Sequence, residues 1–305
     1  MSDPIFMWRE DFLMIYRKMV RFKERHGDNF FKGFFRESLA KIMRNAFLRS
    51  VISRFFPKPD VLGMVFMSGC YNSGTTIIKD AICLHPMLCS PPVEGSAITT
   101  DLVDFDVGYF PRGLYSNLQD VANMKLSFFD KDRFRLEISP WCRKNTMFLD
   151  KSISNTVMLN QLNEAFPNCF VINVIREPYS TIAGIKKKST PPAMFVDIMG
   201  EQYSDDFLLA QWEALYSFVV DSNIPNDRFF NIDFSEFEKN PVQTIKSVWS
   251  FLGLPLCDIS YSNGVLVVSG SQLLIRQGEE LDRCSLYLNM INRLDKKAET
   301  RESCN

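Results

Sequence analysis

The residues of this chain that could bind a phosphate-like anion lie between an apolar strand and an amphipathic helix. Residues 61–86 read VLGMVFMSGCYNSGTTIIKDAICLHP, in which four residues separate Gly69 from Gly74. The glycines allow the backbone to curl, and the helix would begin with its amides directed at the loop. Thr75 stands where a loop that binds a nucleoside triphosphate carries its lysine. The loop therefore predicts a nucleotide whose transferable group needs neither that lysine nor a metal. An ordinary strand-to-helix turn would also contain such glycines.

Three other charged residues lie where an open α/β sheet could present them to a ligand. Lys151 and Arg176 each follow an apolar strand pattern, and ligands bind at the carboxyl ends of such strands. An arginine can make paired hydrogen bonds to phosphate. Glu94 follows a Pro-Pro turn and could be a general base if the fold returns it to the loop. The alternatives are a solvated lysine, an arginine paired with Glu177 and an ordinary surface glutamate.

The central region, about 61–255, alternates strand and helix patterns. The predicted strands are 61–67, 146–149, 170–175 and 229–232, and the predicted helices are 154–165, 205–222 and 241–252. This alternation is typical of a parallel sheet. The predicted fold class is α/β, with a P-loop-type parallel sheet flanked by helices and an added N-terminal helical lobe. The predicted domains are 1–58, 59–256 and a C-terminal segment, 257–305, that closes the nucleotide site and ends in a frayed tail from Asp295.

The composition indicates a globular protein with a sizeable core. The 305 residues are 46% hydrophobic and carry a formal net charge of −1. The eight cysteines form no CxxC pair and no zinc spacing, so reduced thiols and no metal are predicted. The sequence shows no cationic-then-apolar leader and no apolar run of the ~18 residues that a membrane span needs. We therefore expect a cytoplasmic protein.

The N-terminal segment differs in charge from the rest of the chain. Residues 1–56 carry twelve Lys and Arg against six Asp and Glu, although the whole chain has 35 against 36. Apolar residues at helical spacing predict amphipathic helices, broken near Gly27. The favoured interpretation is that their aromatic side packs on the domain; peripheral membrane contact is the alternative. Nucleic-acid binding is not expected, because no motif accompanies the charge.

The motifs of the central region follow one another in a characteristic order. The loop Gly-x-x-x-Ser-Gly-Thr-Thr is followed by Glu94, by Lys151, by a strand that ends Arg-Glu-Pro, by Gln211-Trp212 and by Phe-Leu-Gly-Leu-Pro. This order resembles that of the sulfotransferases that use 3′-phosphoadenosine 5′-phosphosulfate (PAPS). The pattern is most similar to the tyrosylprotein and heparan types and their bacterial relatives. The resemblance covers about residues 61–256.

The resemblance implies a role for each motif residue. The loop that would hold the 5′-phosphosulfate consists of Gly69, Cys70, Tyr71, Asn72, Ser73, Gly74, Thr75 and Thr76. Lys151 would contact the bridge between phosphate and sulfuryl group, and Glu94 would be the catalytic base. Arg176 would begin the stretch that binds the 3′-phosphate. A second motif for the 3′-phosphate would be formed by Arg276, Gln277 and Gly278.

Two positions depart from the family pattern. Asn72 stands where the family usually has Arg or Lys, so the loop lacks a cation that would neutralise the phosphosulfate. Lys151 would then carry more of that role. Gly184 stands where the family places a serine, eight residues after the strand-end arginine, and Ser180 is the nearby residue that could replace it.

The resemblance therefore implies a sulfotransferase that moves a sulfuryl group from PAPS to a hydroxyl or amine and releases adenosine 3′,5′-bisphosphate (PAP). Glu94 would take the proton, and Lys151, Asn72 and the loop amides would stabilise the leaving group, without a metal. A small-molecule acceptor is expected rather than a protein or a glycan. One alternative is a kinase-like P-loop enzyme, against which Thr75 argues. The other is a non-catalytic nucleotide-binding relative that has lost the cation at position 72.

Overall fold

Five parallel strands form the central sheet of the protein in the computed structural model. The strands are β1 (Gly63–Gly69), β2 (Leu88–Cys89), β3 (Met147–Asp150), β4 (Phe170–Ile175) and β5 (Phe229–Asp233). Their order across the sheet is β2-β3-β1-β4-β5, and every pairing is parallel. The carboxyl ends of β3 and β4 therefore flank the carboxyl end of β1. The structure describes residues 30–56, 59–102, 112, 129–193, 196–275 and 284–299.

Helices cover both faces of this sheet. They are α1 (Phe30–Met43), α2 (Ala46–Ser53), α3 (Thr75–Ile82), α4 (Lys131–Ile138), α5 (Asn155–Ala165), α6 (Pro178–Lys186), α7 (Val196–Met199), α8 (Asp205–Val220), α9 (Phe234–Lys239), α10 (Pro241–Phe251) and α11 (Ser285–Glu299). The strands and helices predicted for the central region are found within two residues of their predicted bounds. The α/β fold class, with its parallel sheet between helices, is confirmed.

The strands are mostly apolar because both faces of the sheet are buried. Successive strand residues point to opposite faces. Met64 and Phe66 of β1 accordingly join one core cluster, which contains residues of α5 and α8, and Val65 and Met67 join the other, which contains residues of α3 and α10. A parallel sheet covered in this way has nearly continuous hydrophobic strands. The same burial fixes β1 firmly beneath the loop that follows it.

The C-terminal part adds a second sheet and a helix. Strands β6 (Ile259–Ser262), β7 (Val265–Val268) and β8 (Ser271–Leu274) pair antiparallel. Helix α11 packs its buried Leu294 into the core, and Lys297 donates a hydrogen bond to the carbonyl of Ser222, 2.7 Å away. The frayed tail predicted from Asp295 is therefore wrong as far as Glu299. Residues 300–305 lie outside the described part of the chain.

Helices α1 and α2 belong to the predicted N-terminal helical lobe. Ala40 and Met43 are fully buried, and Arg49 pairs with Glu137 of α4 at 3.0 Å. These contacts attach the two helices to the α/β core. The predicted helix break near Gly27 lies outside the described residues. In the part of the chain that the structure describes, no helix is both long and apolar enough to span a membrane.

Candidate active site

The loop after β1 is held in place by side chains from two helices. The Gly69 amide donates to Thr156 Oγ1 of α5 (3.0 Å), and the Cys70 amide donates to the Tyr216 hydroxyl of α8 (3.3 Å). That hydroxyl donates in turn to the carbonyl of Val174 (2.8 Å). A Cβ on Gly69 would lie 2.7 Å from the same carbonyl, so only glycine fits. Burial raises the pKa of the Cys70 thiol to about 12, which keeps this thiol protonated.

The loop turns into helix α3 through Gly74. This residue has φ +92°, and a Cβ placed on it would lie 2.0 Å from the ring of Phe234. The close approach of ring and backbone therefore requires glycine. The first amides of a helix have no partner within the helix. Thr75, Thr76 and Ile77 begin α3 and line the adjoining cleft, so their amides suit an anion.

A cleft of about 410 Å³ lies at this edge of the sheet. Its lining residues are Tyr71, Asn72, Gly74, Thr75, Thr76, Ile77, Glu94, Arg112, Lys151, Ile153, Arg176, Gly184, Lys188 and Phe234. The loop forms the middle of the cleft, because β1 lies between β3 and β4. We call Glu94, Lys151 and Ile153, on the β3 side, the paired wall. We call Arg112, Arg176, Gly184 and Lys188, on the other side, the cationic wall.

The paired wall contains an ion pair. Lys151 Nζ, at the end of β3, donates to Glu94 Oε1, and the amide of Ile153 donates to Glu94 Oε2 (3.3 Å). The Lys151 side chain is only 11% exposed, whereas that of Glu94 is 32% exposed. A solvated surface lysine, the alternative for Lys151, is therefore not what the structure contains. The carboxylate remains open to the cleft while its partner is largely shielded from water.

A buried carboxyl group fixes the segment that carries Glu94. Asp150 is fully buried at the end of β3; its Oδ1 accepts from the Gly95 amide (2.8 Å) and its Oδ2 from Asn155 Nδ2 (2.8 Å). Burial raises the pKa of Asp150. A Cβ on Gly95 would lie 2.2 Å from Asp150 Oδ1. The chain after Glu94 thus lies directly against β3, which brings Glu94 back to the loop.

Arg176 follows β4 and crosses toward the loop. Its Nη1 donates to the backbone carbonyl of Asn72 (3.2 Å), and its guanidinium lies 4.6 Å from the centroid of the Phe234 ring. The buried Glu177 does not pair with it; Glu177 Oε2 instead accepts from the Ser180 amide at the start of α6 (2.7 Å). The described residues include no carboxylate that pairs with Arg176. This guanidinium keeps donors available for an anion.

Two further cations meet at the side chain of Asn72. Arg112 Nη1 (3.1 Å) and Lys188 Nζ (2.6 Å) both donate to Asn72 Oδ1. The carbonyl of Arg112 accepts from Gln211 Nε2 (3.0 Å), which attaches this residue to α8. Burial and the charges of Arg112, Arg176 and Lys187 lower the pKa of Lys188. Position 72 lacks a cation of its own, yet cations from elsewhere in the chain surround it.

The structure brings most of the predicted site residues to one cleft. Those that line it are Tyr71, Asn72, Gly74, Thr75, Thr76, Glu94, Lys151, Arg176 and Gly184. Three residues of the loop lie beneath the cleft and do not line it: Gly69, Cys70 and Ser73. Ser73 is fully buried and donates to the Cys70 carbonyl (2.7 Å). Ser180 is not among the lining residues. Arg276, Gln277 and Gly278 lie outside the described residues.

Sequence reasoning missed Arg112 and Lys188. Lys188 lies four residues after Gly184, which places the two on one side of a helical turn, and this spacing was the available signal. Arg112 belongs to no helix or strand, and no local pattern marks it. Among the described residues, no group of three or more His, Cys, Asp or Glu is arranged to hold a metal ion.

Comparisons with known proteins found one family model and several solved structures that match this chain. The model described as the sulfotransferase family matches residues 64–258. A sulfotransferase structure from Alicyclobacillus acidocaldarius is 16% identical over 79% of this chain and 96% of its own, with a TM-score of 0.43. The sulfotransferase domain of a Synechococcus olefin synthase is 16% identical, over 66% of this chain and 78% of its own (TM-score 0.43). A Mycobacterium tuberculosis sulfotransferase is 13% identical, over 75% and 77% (TM-score 0.44). No curated protein matches the sequence. Because the family model covers more than half of the chain, the protein belongs to the sulfotransferase family.

Proposed function

We propose that this protein transfers a sulfuryl group from PAPS to a hydroxyl or amine of a small-molecule acceptor, and releases PAP. The observation that carries the proposal is the Glu94–Lys151 ion pair, which lines the same cleft as the amides at the start of α3. A carboxylate and an ammonium group side by side supply what sulfuryl transfer needs: a proton acceptor for the attacking group and a cation for the leaving group.

The reaction is an in-line displacement at sulfur. The acceptor oxygen or nitrogen forms a bond to sulfur as its proton passes to the carboxylate of Glu94. The bond between sulfur and the bridging phosphate oxygen breaks, and its electron pair stays on that oxygen. Lys151 donates a hydrogen bond to this oxygen, which is where negative charge develops. Because Lys151 then donates to the nucleotide, the carboxylate of Glu94 is released from the ion pair and can accept the proton of the acceptor.

The described residues of the cleft suit a nucleotide that carries several negative charges. The loop amides and the Thr75 and Thr76 hydroxyls would bind the 5′-phosphosulfate. Arg176 would bind the 3′-phosphate. The Nδ2 donor of Asn72 is buried and has no hydrogen-bond partner in the described structure, so a ligand oxygen that reached it would satisfy it. No step of this reaction calls for a metal ion.

Replacement of Glu94 by Gln tests the proposed base. The amide keeps the size of the side chain but cannot accept the proton, so kcat should fall by about 10²–10⁴-fold. The measurement is transfer of labelled sulfate from PAPS to a panel of phenols, alcohols and amines, with the affinity for PAP determined by calorimetry. The affinity for PAP should change less than about twofold. Glu164→Gln, on the exposed side of α5, is the control of equal charge and should keep full activity.

Two results would overturn the proposal. If the wild-type protein binds ATP with magnesium but not PAP, the protein is not a PAPS-dependent enzyme. If it binds PAP but transfers sulfate to no member of the panel, it is a nucleotide-binding relative without catalysis. Full activity of the Glu94→Gln variant would leave the enzyme in place and remove Glu94 from the mechanism.

A further inference from the structure

Helix α2 directs its apolar side away from the α/β core. Phe47 and Val51 of this helix and Phe55 just after it follow one another at intervals of four residues, which places them on one side of a helical turn. All three are exposed, and the exposed fraction is 73% for Phe47 and 82% for Phe55. The sequence led us to expect an aromatic side that packs on the domain, whereas the structure leaves this side exposed. We call Phe47, Leu48, Val51 and Phe55 the outer face of α2.

The opposite side of α2 is polar and buried. It carries Arg49 and Ser53, which are also four residues apart. Arg49 Nε donates to Glu137 Oε1 (3.0 Å), and Arg49 Nη1 donates to the carbonyl of Met43 (2.9 Å). Glu137 is buried as well, so a rotation of α2 that buried the outer face would leave an unpaired charge inside the protein, which is strongly unfavourable. The buried ion pair therefore fixes the outward direction of the apolar side.

Exposed large hydrophobic side chains are concentrated in this part of the described structure. Of the thirteen such side chains among the described residues, seven lie between Phe35 and Phe56. Single exposed hydrophobic residues are normal on a protein surface, but a group of them indicates a site of interaction. We therefore expect a partner to cover the outer face.

Exposed cations lie at both ends of the outer face. Arg44 precedes α2 and Arg54 follows it, and neither pairs with a carboxylate among the described residues. Residues 30–56 contain six Lys and Arg against one acidic residue. Only Arg49 of the six is neutralised by an ion pair within the described structure. A partner that covers the outer face must therefore offer apolar groups together with negative charge.

An anionic lipid bilayer matches this chemistry better than another part of the protein does. Its headgroups attract Arg and Lys, and phenylalanine side chains insert at the boundary between headgroups and acyl chains. A second copy of the chain would bring the same cations to the interface, where like charges repel. Residues 1–29 carry six Lys and Arg against five Asp and Glu, so they supply no excess of negative charge.

We propose that the outer face of α2 binds the surface of a membrane that contains anionic lipids. Its apolar side chains insert below the headgroups, and Arg44 and Arg54 contact the lipid phosphates. The association is peripheral, because the helix lies in the plane of the interface and does not cross the bilayer. The inference is independent of the proposed function, since none of these residues lines the active-site cleft.

Flotation of the full-length protein with lipid vesicles tests the proposal. The wild-type protein should float with vesicles of equimolar phosphatidylcholine and phosphatidylglycerol and much less with phosphatidylcholine alone, and added salt should weaken the binding. Phe47→Gln should lower the partition coefficient about tenfold, whereas Phe47→Leu, which keeps an apolar side chain, should stay within about threefold of the wild type. The matched control is Ile198→Gln, which removes an apolar side chain of 81% exposure outside the outer face; its partition coefficient should not change.

A second variant tests the contribution of charge. Arg44→Gln should lower binding to the anionic vesicles about fivefold, because each basic residue near such a surface strengthens binding by about that factor. Its weak binding to phosphatidylcholine alone should not change. Lys296→Gln, an exposed lysine of α11, is the control of equal charge and should bind as the wild type does. Denaturant unfolding of every variant would verify that the fold is intact.

Several outcomes overturn the proposal. A wild-type protein that stays out of the lipid fraction does so directly. In that case a second copy covers the outer face if Phe47→Gln converts a dimer into monomers in sedimentation, and residues 1–29 cover it if Phe47→Gln lowers the free energy of unfolding. Equal losses in Phe47→Gln and Ile198→Gln would show that the binding is not specific to the outer face. Failure of the protein to bind PAP would reject the proposed function and leave the result with vesicles unaffected.

Discussion

The two walls of the cleft hold their charges in opposite ways. On the paired wall, Lys151 and Glu94 neutralise each other. On the cationic wall, Arg112, Arg176 and Lys188 contact neutral oxygen atoms of Asn72 and, among the described residues, no carboxylate. An ion pair is stable without a ligand, and its two side chains can form new contacts when a ligand binds. A cluster of like charges is stabilised only when an anion is bound. We therefore infer that the paired wall takes part in the chemical step and that the cationic wall binds an anionic group of the ligand.

The supports beneath the walls differ as well. Buried Asp150 and Asn155 fix the backbone beside Glu94 through hydrogen bonds of 2.8 Å. On the cationic wall, Gln211 and Trp212 hold the backbone carbonyls of Arg112 and Arg176. The charged ends of the side chains are held more loosely, by the oxygen atoms of Asn72 and by the ring of Phe234 beneath Arg176. A rigid support suits a group that must keep a precise distance to a reacting atom. A wall that only binds a phosphate tolerates more movement. Substitutions on the two walls should therefore separate kcat from affinity.

The largest effect is expected from the loss of Lys151. In Lys151→Met the aliphatic part of the side chain remains, but the leaving oxygen has no cation beside it. We expect kcat to fall about 10²–10³-fold, since an interaction made in the transition state is lost. The affinity for PAPS, in which that oxygen is still bonded to sulfur, should change less than about threefold. Single-turnover transfer of labelled sulfate over a range of PAPS concentrations would measure the two quantities.

The control for this variant is Lys186→Met. Lys186 pairs with Asp205 at 2.6 Å and does not line the cleft. Its loss should leave both kcat and affinity within about twofold of the wild-type values. If Lys151→Met weakened PAPS binding and left the rate of bound substrate unchanged, the two walls would not differ in the way described above.

A smaller effect on catalysis is expected from Gly95→Ala. The new Cβ would lie 2.2 Å from Asp150 Oδ1, so the chain next to Glu94 must move away from β3. We expect kcat to fall about tenfold, because a small displacement of a base is costly. The free energy of unfolding should fall by about 1–3 kcal/mol, as is usual for overpacking. Affinity for PAP should stay the same. Denaturant unfolding and the transfer assay would measure these changes, with Ser96→Ala as a control that adds no atoms.

One cation of each wall could be predicted from the sequence. Lys151 and Arg176 each end an apolar run, and in a parallel sheet such runs end at one edge, so their approach to the loop follows from the fold. The short strand Leu88–Cys89 was not predicted, because two residues leave no periodicity to detect. Strands β6 to β8 were also missed, although the Asn263-Gly264 pair between β6 and β7 is a sequence signal for a β-hairpin.

The other two cations of the cationic wall, Arg112 and Lys188, could not be predicted in the same way. From the sequence, Asn72 was interpreted as the loss of a cation from the loop. A sequence shows which residue stands at a position but not which side chains from elsewhere contact it. Arg112 itself belongs to no helix or strand, and Lys188 lies in the turn after α6. Their meeting at one oxygen is a tertiary contact across 40 residues in one case and 116 in the other. Gly184 was likewise interpreted from the sequence only as the loss of a serine. In the structure, the absence of a side chain at this position leaves room for Asn72.

A modest loss of affinity without loss of rate is expected from Phe234→Leu. The leucine fills part of the space but offers no ring to the guanidinium of Arg176, which lies 4.6 Å from the centroid. We expect PAP to bind about 3–5-fold more weakly, as for a partly exposed cation–π contact, with kcat unchanged. Phe237→Leu is the matched control: this residue belongs to the same helix and is fully buried, but it does not line the cleft. A fall in kcat with unchanged affinity would place Phe234 in the catalytic machinery instead.

The smallest expected effect is a dependence of PAP binding on pH above neutrality. The pKa of Lys188 lies below the ordinary lysine value because of burial and the charges of Arg112, Arg176 and Lys187. A phosphate dianion beside it favours the charged form, so binding raises this pKa. Between the two values the complex holds more protons than the free protein, and affinity must fall as pH rises through that window. Phosphate itself, with a second pKa near 6, is already a dianion there. Calorimetry from pH 7.5 upward should show a loss of a few-fold that is absent in Lys188→Gln. An identical pH profile in both proteins would mean that Lys188 does not face the bound phosphate.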